Sequence, residues 1–180
     1  MSDYKIVFIG SPGAGKSTSI RSISDLPPVS TEVPASDESR DTTVALDFGE
    51  MTLDDGEVVR LYGVPGQGRF DFIWPLIADG AMGAIFFLDA RDPTPLKVLD
   101  GYIDSFSALV ANGASVLAVS HGDHANPRPD LAAYARHLRG RGLDMPVVEI
   151  DPRQRRDVLY ALNMLISLLE RDNMEAAHGA

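Results

Sequence analysis

The sequence predicts an α/β domain with a mostly parallel, six-stranded sheet flanked by helices. Short apolar runs alternate along the chain with segments whose apolar residues recur at helical spacing. Strands and helices that alternate in this way imply right-handed crossovers and a parallel sheet. The 180 residues suit one such domain with one sizeable core, which we expect at residues 1–172, followed by a frayed tail at residues 173–180.

The first third of the chain predicts three strands, one helix and one loop. The run "YKIVFIG" is rich in β-branched and aromatic residues and predicts a buried first strand, followed by a helix from about Lys16. Residues 26–41 contain prolines, serines and acidic residues without a period, which predicts a mobile loop. Two strand-like runs then flank "LDDGE", where Asp55-Gly56 is a strong hairpin signal, so these strands should be antiparallel neighbours.

The remaining chain predicts three more strands separated by helices. The runs "GAIFFLDA" and "SVLAVS" are continuously apolar, as strands buried on both faces require, and "PVVEI" predicts the last strand. Apolar residues recur at helical spacing in three segments: Leu99, Tyr102, Ile103, Phe106, Leu109 and Val110; Leu131, Tyr134 and Leu138; and Val158, Leu162, Leu165 and Leu169.

Composition narrows the classes of function. The chain has no cysteine, so neither a disulfide framework nor a thiolate metal site is possible. A formal net charge of -10 argues against nucleic acid as a partner. No apolar stretch approaches the roughly 20 residues that cross a bilayer, so we expect no integral membrane segment. The absence of cysteines means that nothing calls for an oxidising compartment, and we expect a cytoplasmic location.

The stretch "GSPGAGKST" fits the pattern G-x-x-x-x-G-K-[ST] between a predicted strand and a predicted helix. Glycines allow consecutive backbone N–H groups to surround phosphate oxygens, and the helix N-terminus adds its positive dipole end. Lys16 is expected to reach the β- and γ-phosphates, and the Ser17 hydroxyl to bind Mg²⁺. The predicted phosphate-binding residues are Gly10, Gly13, Ala14, Gly15, Lys16, Ser17 and Thr18.

The motifs after this phosphate loop resemble those of Ras-like small GTPases of the P-loop NTPase class. "TTVALDF", the hairpin, "PGQGRF" and "GAIFFLD" follow in the order of that family. The stretches "DTTVALDFGEMTL", "LYGVPGQGRF" and "GAMGAIFFLDARDP" look like the bacterial branch that includes the gliding-polarity GTPases and the GTPase members of actinobacterial conservons. The resemblance implies GTP and GDP as ligands, Mg²⁺ as cofactor, slow GTP hydrolysis, a roadblock-type regulatory protein and an effector.

The resemblance also implies roles for residues in two switch loops. Thr43 would bind Mg²⁺ and the γ-phosphate, with Thr42 as a competitor, and the nearby Arg40 could stabilise charge on the transferred phosphoryl group. Gly66 would offer its N–H to the γ-phosphate, and Gln67 would orient the attacking water. Gly63 stands where the family usually has the aspartate that holds Mg²⁺ through water, an aspartate that the bacterial branch also tends to lack. Ser17, the phosphates and water can still complete the six-oxygen shell of Mg²⁺.

The expected base-reading segment, "SHGD", departs from the family's Asn-Lys-x-Asp. The carboxylate of Asp123 can accept hydrogen bonds from N1–H and the exocyclic amine of guanine, whereas adenine presents an acceptor at N1. Losing a charged hydrogen bond costs roughly 1.5 to 3 kcal/mol, so Asp123 favours guanine. Ser120 and His121 replace the supporting asparagine and lysine, and imidazole can still stack on a purine.

These substitutions leave two alternatives to a GTPase switch. One is a pseudo-GTPase scaffold with weak or no nucleotide binding, supported by Gly63, Ser120 and His121. The other is a less selective ATP- and GTP-binding P-loop protein. The exposed aromatic residues expected at Phe70, Phe72 and Trp74 could contribute to a partner interface or pack the second switch segment onto the sheet.

Overall fold

The computed structural model describes residues 3–27, 29–37 and 40–178, which form a sheet between two layers of helices. The strands are β1 (Asp3–Gly10), β2 (Val29–Asp37), β3 (Arg40–Thr52), β4 (Val58–Gly63), β5 (Gly83–Asp89), β6 (Ala114–Ser120) and β7 (Val147–Ile150). The helices are α1 (Lys16–Ile23), α2 (Trp74–Ala78), α3 (Pro95–Ser105), α4 (Ser107–Asn112), α5 (Leu131–Gly140) and α6 (Arg155–His178). The α/β class and the mostly parallel sheet are confirmed. None of the described helices is long and apolar enough to cross a bilayer.

The sheet has the strand order β2-β3-β4-β1-β5-β6-β7. Strands β4, β1, β5, β6 and β7 run parallel, while β3 is antiparallel to β4. The turn between β3 and β4 is closed by a 2.8 Å hydrogen bond from Leu53 N–H to Glu57 O, and Gly56 adopts φ +87°. The predicted hairpin is therefore confirmed at the predicted Asp55-Gly56 step.

One strand was not predicted. Strand β2 falls within residues 26–41, which the sequence predicts as a loop, and pairs antiparallel with β3 along its whole length. The prediction was wrong because Pro34 and the polar composition outweighed a two-residue alternation of Val29, Thr31, Val33 and Ala35. An edge strand needs only one hydrogen-bonded neighbour, so a proline is tolerated there. The sheet consequently has seven strands rather than six.

Two apolar cores lie on opposite faces of the sheet. Helices α1 and α6 cover one face, where Ile20 and Leu162 are buried. Helices α2 to α5 cover the other face, where Trp74, Leu99 and Leu138 are buried. Because both faces are covered, β5 and β6 are almost wholly buried, as their continuous apolar runs predict.

The helices follow the predicted periodic segments, with one division. The segment from Leu99 to Val110 forms two helices separated at Phe106, whose φ of −110° and ψ of 26° interrupt α3. Helix α6 continues through the predicted boundary at residue 172 to His178, and residues 179–180 lie outside the described part of the chain. Whether its last turns fray stays a prediction.

Candidate functional site

A cavity of about 400 Å³ opens at the carboxyl end of β1, where the chain turns into α1. Loops that follow parallel strands meet at this edge of a sheet. The cavity is lined by the predicted residues Gly13, Gly15, Lys16, Ser17, Thr18 and Gly66, together with Asp47, which the sequence analysis did not select. The phosphate loop (Gly10 to Thr18) and a second glycine loop (residues 64–68) therefore share one concave site.

Lys16 begins α1 and is almost fully buried in this cavity. Its ammonium donates to the carbonyl oxygens of Gly10 at 2.6 Å and Ser11 at 2.8 Å. Burial lowers the pKa of Lys16 to about 8, although the nearby charge of Asp47 acts in the opposite direction. A bound anion would restore the charged form, so the site gains a proton on anion binding near pH 8.

Asp47 supplies a carboxylate beside the predicted metal ligand Ser17. The Ser17 hydroxyl donates to Asp47 Oδ2. Asp47 lies on β3 directly opposite Gly63 of β4, and a Cβ built at Gly63 would lie 3.0 Å from the Asp47 Cβ. The bare glycine thus makes room for a carboxylate from the neighbouring strand. The only sequence signal for this role is an acidic residue inside the apolar run "VALDF".

Thr43 is not brought to this carboxylate. Its backbone lies in β3, opposite Pro34, four residues before Asp47. A strand rises about 3.3 Å per residue, so the two Cα atoms are roughly 13 Å apart. The side chains of Thr43, Thr42 and Arg40 lie outside the described residues, and their proposed recruitment by a γ-phosphate stays a prediction.

The second glycine loop lies directly on the phosphate loop. A Cβ built at Gly66 would lie 2.5 Å from Gly10 O and 2.6 Å from Pro12 N, so only glycine fits at this position. The next residue, Gln67, is exposed and precedes a short 3₁₀ turn at Gly68–Ile73. Gly66 is therefore in close contact with the phosphate loop, and Gln67 follows it with an exposed side chain.

Three residues from distant segments each contact one residue of the phosphate loop. The buried Ser120 hydroxyl donates to Ala14 O at 2.8 Å. His121 Nε2 lies 3.1 Å from Gly13 O, and its backbone adopts a left-handed φ of 58°. Pro152 packs on Gly15, where a Cβ would lie 2.4 Å from the proline Cγ. Ser120 and His121 thus fasten the predicted base-reading segment to the phosphate loop.

Asp123 follows this fastening and remains largely exposed, with its carboxylate 3.3 Å from His124 Nε2. The pKa of Arg91 and that of Arg153 are raised, mainly by hydrogen bonds to Asp89 and Asp151 respectively. The charge of Asp123 makes a smaller contribution in the same direction to both. Asp123 is therefore within electrostatic range of the loop after β5, which carries Arg91, and of the loop after β7, which carries Arg153. The exposed carboxylate contacts His124 through Oδ2 and has further acceptor capacity for a ligand.

The loop after β7 offers few backbone donors. Asp151 N–H donates to Asp157 Oδ2 at 3.0 Å, and Arg153 N–H donates to Asp151 Oδ1 at 3.0 Å. Pro152 has no N–H, and Gln154 N–H donates to Asp151 O at 2.9 Å. The Arg153 guanidinium lowers the pKa of Asp151 to about 2 through their hydrogen bond. The N–H groups of Asp151, Arg153 and Gln154 could therefore bind a ligand only if one of these bonds broke.

Comparison with known proteins does not assign a family. No protein-family model matches the chain. The chain is 33% identical over 88 residues to "Uncharacterized protein MJ1339" of the archaeon Methanocaldococcus jannaschii, an alignment that covers 49% of this chain and 52% of that protein. The chain thus matches about half the length of that relative.

Proposed function

We propose that the chain is a guanine-nucleotide-binding switch of the Ras-like P-loop type, related to the bacterial gliding-polarity and conservon GTPases, with slow Mg²⁺-dependent GTP hydrolysis. The proposal rests mainly on three contacts that other segments make with the phosphate loop. His121, Ser120 and Pro152 contact Gly13, Ala14 and Gly15 in turn, immediately before Lys16. This arrangement joins a phosphate cradle to a segment that ends in an exposed carboxylate, as recognition of a whole nucleotide requires.

The phosphate end of the site is built to hold negative charge. Lys16 can exchange its two carbonyl partners for phosphate oxygens. Burial disfavours the charged amine, so a negatively charged partner that stabilises it there makes this exchange favourable. The turn before α1 and the helix N-terminus contribute backbone N–H groups. Gly66, in contact with this turn, is positioned to sense the terminal phosphate.

The residues present fit a magnesium ion. Ser17 and Asp47 offer hard oxygen ligands side by side, and Mg²⁺ usually takes one or two protein ligands plus phosphates and water. When bound, the ion would neutralise charge at the β- and γ-phosphates, and Ser17 and Asp47 would hold it. The described residues contain no group of three or more His, Cys, Asp or Glu side chains that could hold a metal ion.

Hydrolysis in this proposal depends on positioning. Gln67 would orient a water for in-line attack, and closure of its exposed loop over the phosphates would bring the side chain to that water. Such closure fits slow turnover, since unassisted Ras-type hydrolysis proceeds at roughly 10⁻⁴ per second. A roadblock-type regulator and an effector are proposed partners. The exposed Phe72 and Leu76, one helical turn apart beside this loop, offer them an apolar contact.

One observation favours a less selective purine site as the second candidate. The N–H groups of Asp151, Arg153 and Gln154 are engaged within their own loop, and Pro152 has none. Guanine recognition would then depend on Asp123, and discrimination against adenine would amount to about one charged hydrogen bond, roughly ten- to a hundredfold.

A base-exchange experiment tests guanine recognition. Asp123→Asn should weaken GDP binding and strengthen binding of xanthosine diphosphate, because a carboxamide can donate to the carbonyl at C2 of xanthine. The exposed Asp144→Asn serves as the matched control and should leave both affinities unchanged. If Asp123→Asn behaves like the control, Asp123 does not read the base.

A further inference from the structure

Tyr102 connects α3 to the second glycine loop. Its hydroxyl donates to the Gly66 carbonyl at 3.0 Å, across 36 residues of sequence. Burial raises the pKa of Tyr102, and the nearby Ser11 hydroxyl opposes that shift, so the phenol is a neutral donor close to the phosphate loop. Tyr102 lies outside the sequence motifs, and its contact with Gly66 depends on how α3 packs against the loop.

Trp74 holds the preceding peptide of the same loop. Its indole Nε1 donates to Pro65 O at 3.0 Å. The indole ring also packs at 5.6 Å from the Tyr102 ring and stacks at 5.3 Å on Phe106. Two consecutive carbonyl groups, those of Pro65 and Gly66, are therefore held by two aromatic side chains that also touch each other.

Gly66 packs against a carbonyl group that is a hydrogen-bond partner of Lys16. Gly66 fits against Gly10 O, and that oxygen also accepts a hydrogen bond from Lys16 at 2.6 Å. If Lys16 turns toward phosphate oxygens, it releases Gly10 O and Ser11 O, which changes the surface on which Gly66 lies. Any shift of Gly66 must stretch or break its hydrogen bond with Tyr102.

We propose that Tyr102 is a positioning residue that couples occupancy of the phosphate loop to Trp74 and α2. The hydroxyl fixes the Gly66 peptide, and the aromatic pair transmits any displacement of that peptide to the helix that carries the exposed Leu76. The identity of the ligand rests on the proposed function, whereas the hydrogen bonds from Tyr102 and Trp74 to the loop do not depend on it.

The variant Tyr102→Phe removes the hydroxyl and keeps the ring that packs on Trp74. Tyr134→Phe is the matched control, since Tyr134 is a buried helical tyrosine in the same apolar core but lies on α5. In protein without added nucleotide, we expect the rate of amide hydrogen exchange at residues 64–68 to rise about three- to tenfold in Tyr102→Phe and to stay unchanged in the control. This factor corresponds to the loss of one neutral hydrogen bond. Equal exchange in both variants would overturn the proposal.

Fluorescence tests the coupling itself, because Trp74 is the only tryptophan in the chain. The wild type should show different emission with GDP and with a non-hydrolysable GTP analogue, and Tyr102→Phe should lose at least about half of that difference while still binding both. An undiminished difference in Tyr102→Phe would overturn the coupling. If the wild type binds no nucleotide, the proposed function fails, and the exchange comparison alone decides the role of Tyr102.

Discussion

Replacing Asp47 by asparagine tests whether the carboxylate opposite Gly63 holds Mg²⁺. The amide keeps the shape of the side chain and can still accept the Ser17 hydroxyl, so folding should change little. The negative charge is lost, and interactions that depend on a charged partner are worth roughly 1.5 to 3 kcal/mol. We therefore expect the Mg²⁺ concentration that half-saturates the GDP complex to rise about ten- to a hundredfold.

The same variant has a second consequence, at Lys16. The charge of Asp47 raises the pKa of Lys16 against the larger effect of burial, so its removal should lower that pKa below about 8. The loss of GDP affinity with rising pH should then begin at lower pH than in the wild type.

The assay is calorimetric titration of GDP at several Mg²⁺ concentrations, repeated across pH. Glu50→Gln is the control, because Glu50 lies on the same strand and pairs with Arg60 at 3.6 Å instead of facing Ser17. An unchanged Mg²⁺ requirement in Asp47→Asn, or an equal change in Glu50→Gln, would refute the assignment of Asp47.

Three further predictions concern the phosphate loop. Gly66→Ala should weaken triphosphate binding at least tenfold or destabilise the fold by about 1 to 3 kcal/mol, because a Cβ would meet Gly10 O at 2.5 Å. The control is Gly68→Ala, whose Cβ would meet open space. Equal effects of the two variants in binding and melting assays would contradict the packing at Gly66. Ser120→Ala should lower the free energy of unfolding by about 1 to 3 kcal/mol, because it leaves Ala14 O unpaired. Urea denaturation measures this beside the control Ser105→Ala, which removes an exposed hydroxyl. A difference between the two variants below about 0.5 kcal/mol would contradict the role of Ser120. GDP affinity should be constant below pH 8 and fall up to tenfold per pH unit above it. The reason is that Lys16 loses its proton at lower pH in the unbound site than in the GDP complex. Titrations from about pH 7 to about pH 9.5 that show no fall in affinity would disprove this role of Lys16.

The sequence predicted the parts of the fold that depend on local pattern. The phosphate-loop turn, the hairpin at Asp55-Gly56 and the two buried strands follow from glycine spacing and apolar runs, and all of them occur in the structure. Strand β2 was missed because its stability depends on pairing with β3, and polar composition does not reveal a partner.

The parts of the site that were missed depend on contacts between distant segments. Asp47 meets Ser17 only because the register of β3 and β4 places it opposite Gly63. Trp74 was expected among exposed aromatic residues, but it is buried against Phe106, while Phe72 is exposed. Helical spacing alone cannot decide which side of a short segment faces the sheet.

The most direct test of the account is calorimetric titration of nucleotide-free protein with GDP, GTP and ATP in Mg²⁺, beside the same series on Asp123→Ala. The account predicts binding of GDP and GTP at least about tenfold tighter than ATP, and loss of that preference in the variant. Equal binding of GTP and ATP, unaffected by the substitution, would contradict guanine recognition. Absence of binding in folded protein would contradict the nucleotide site as a whole.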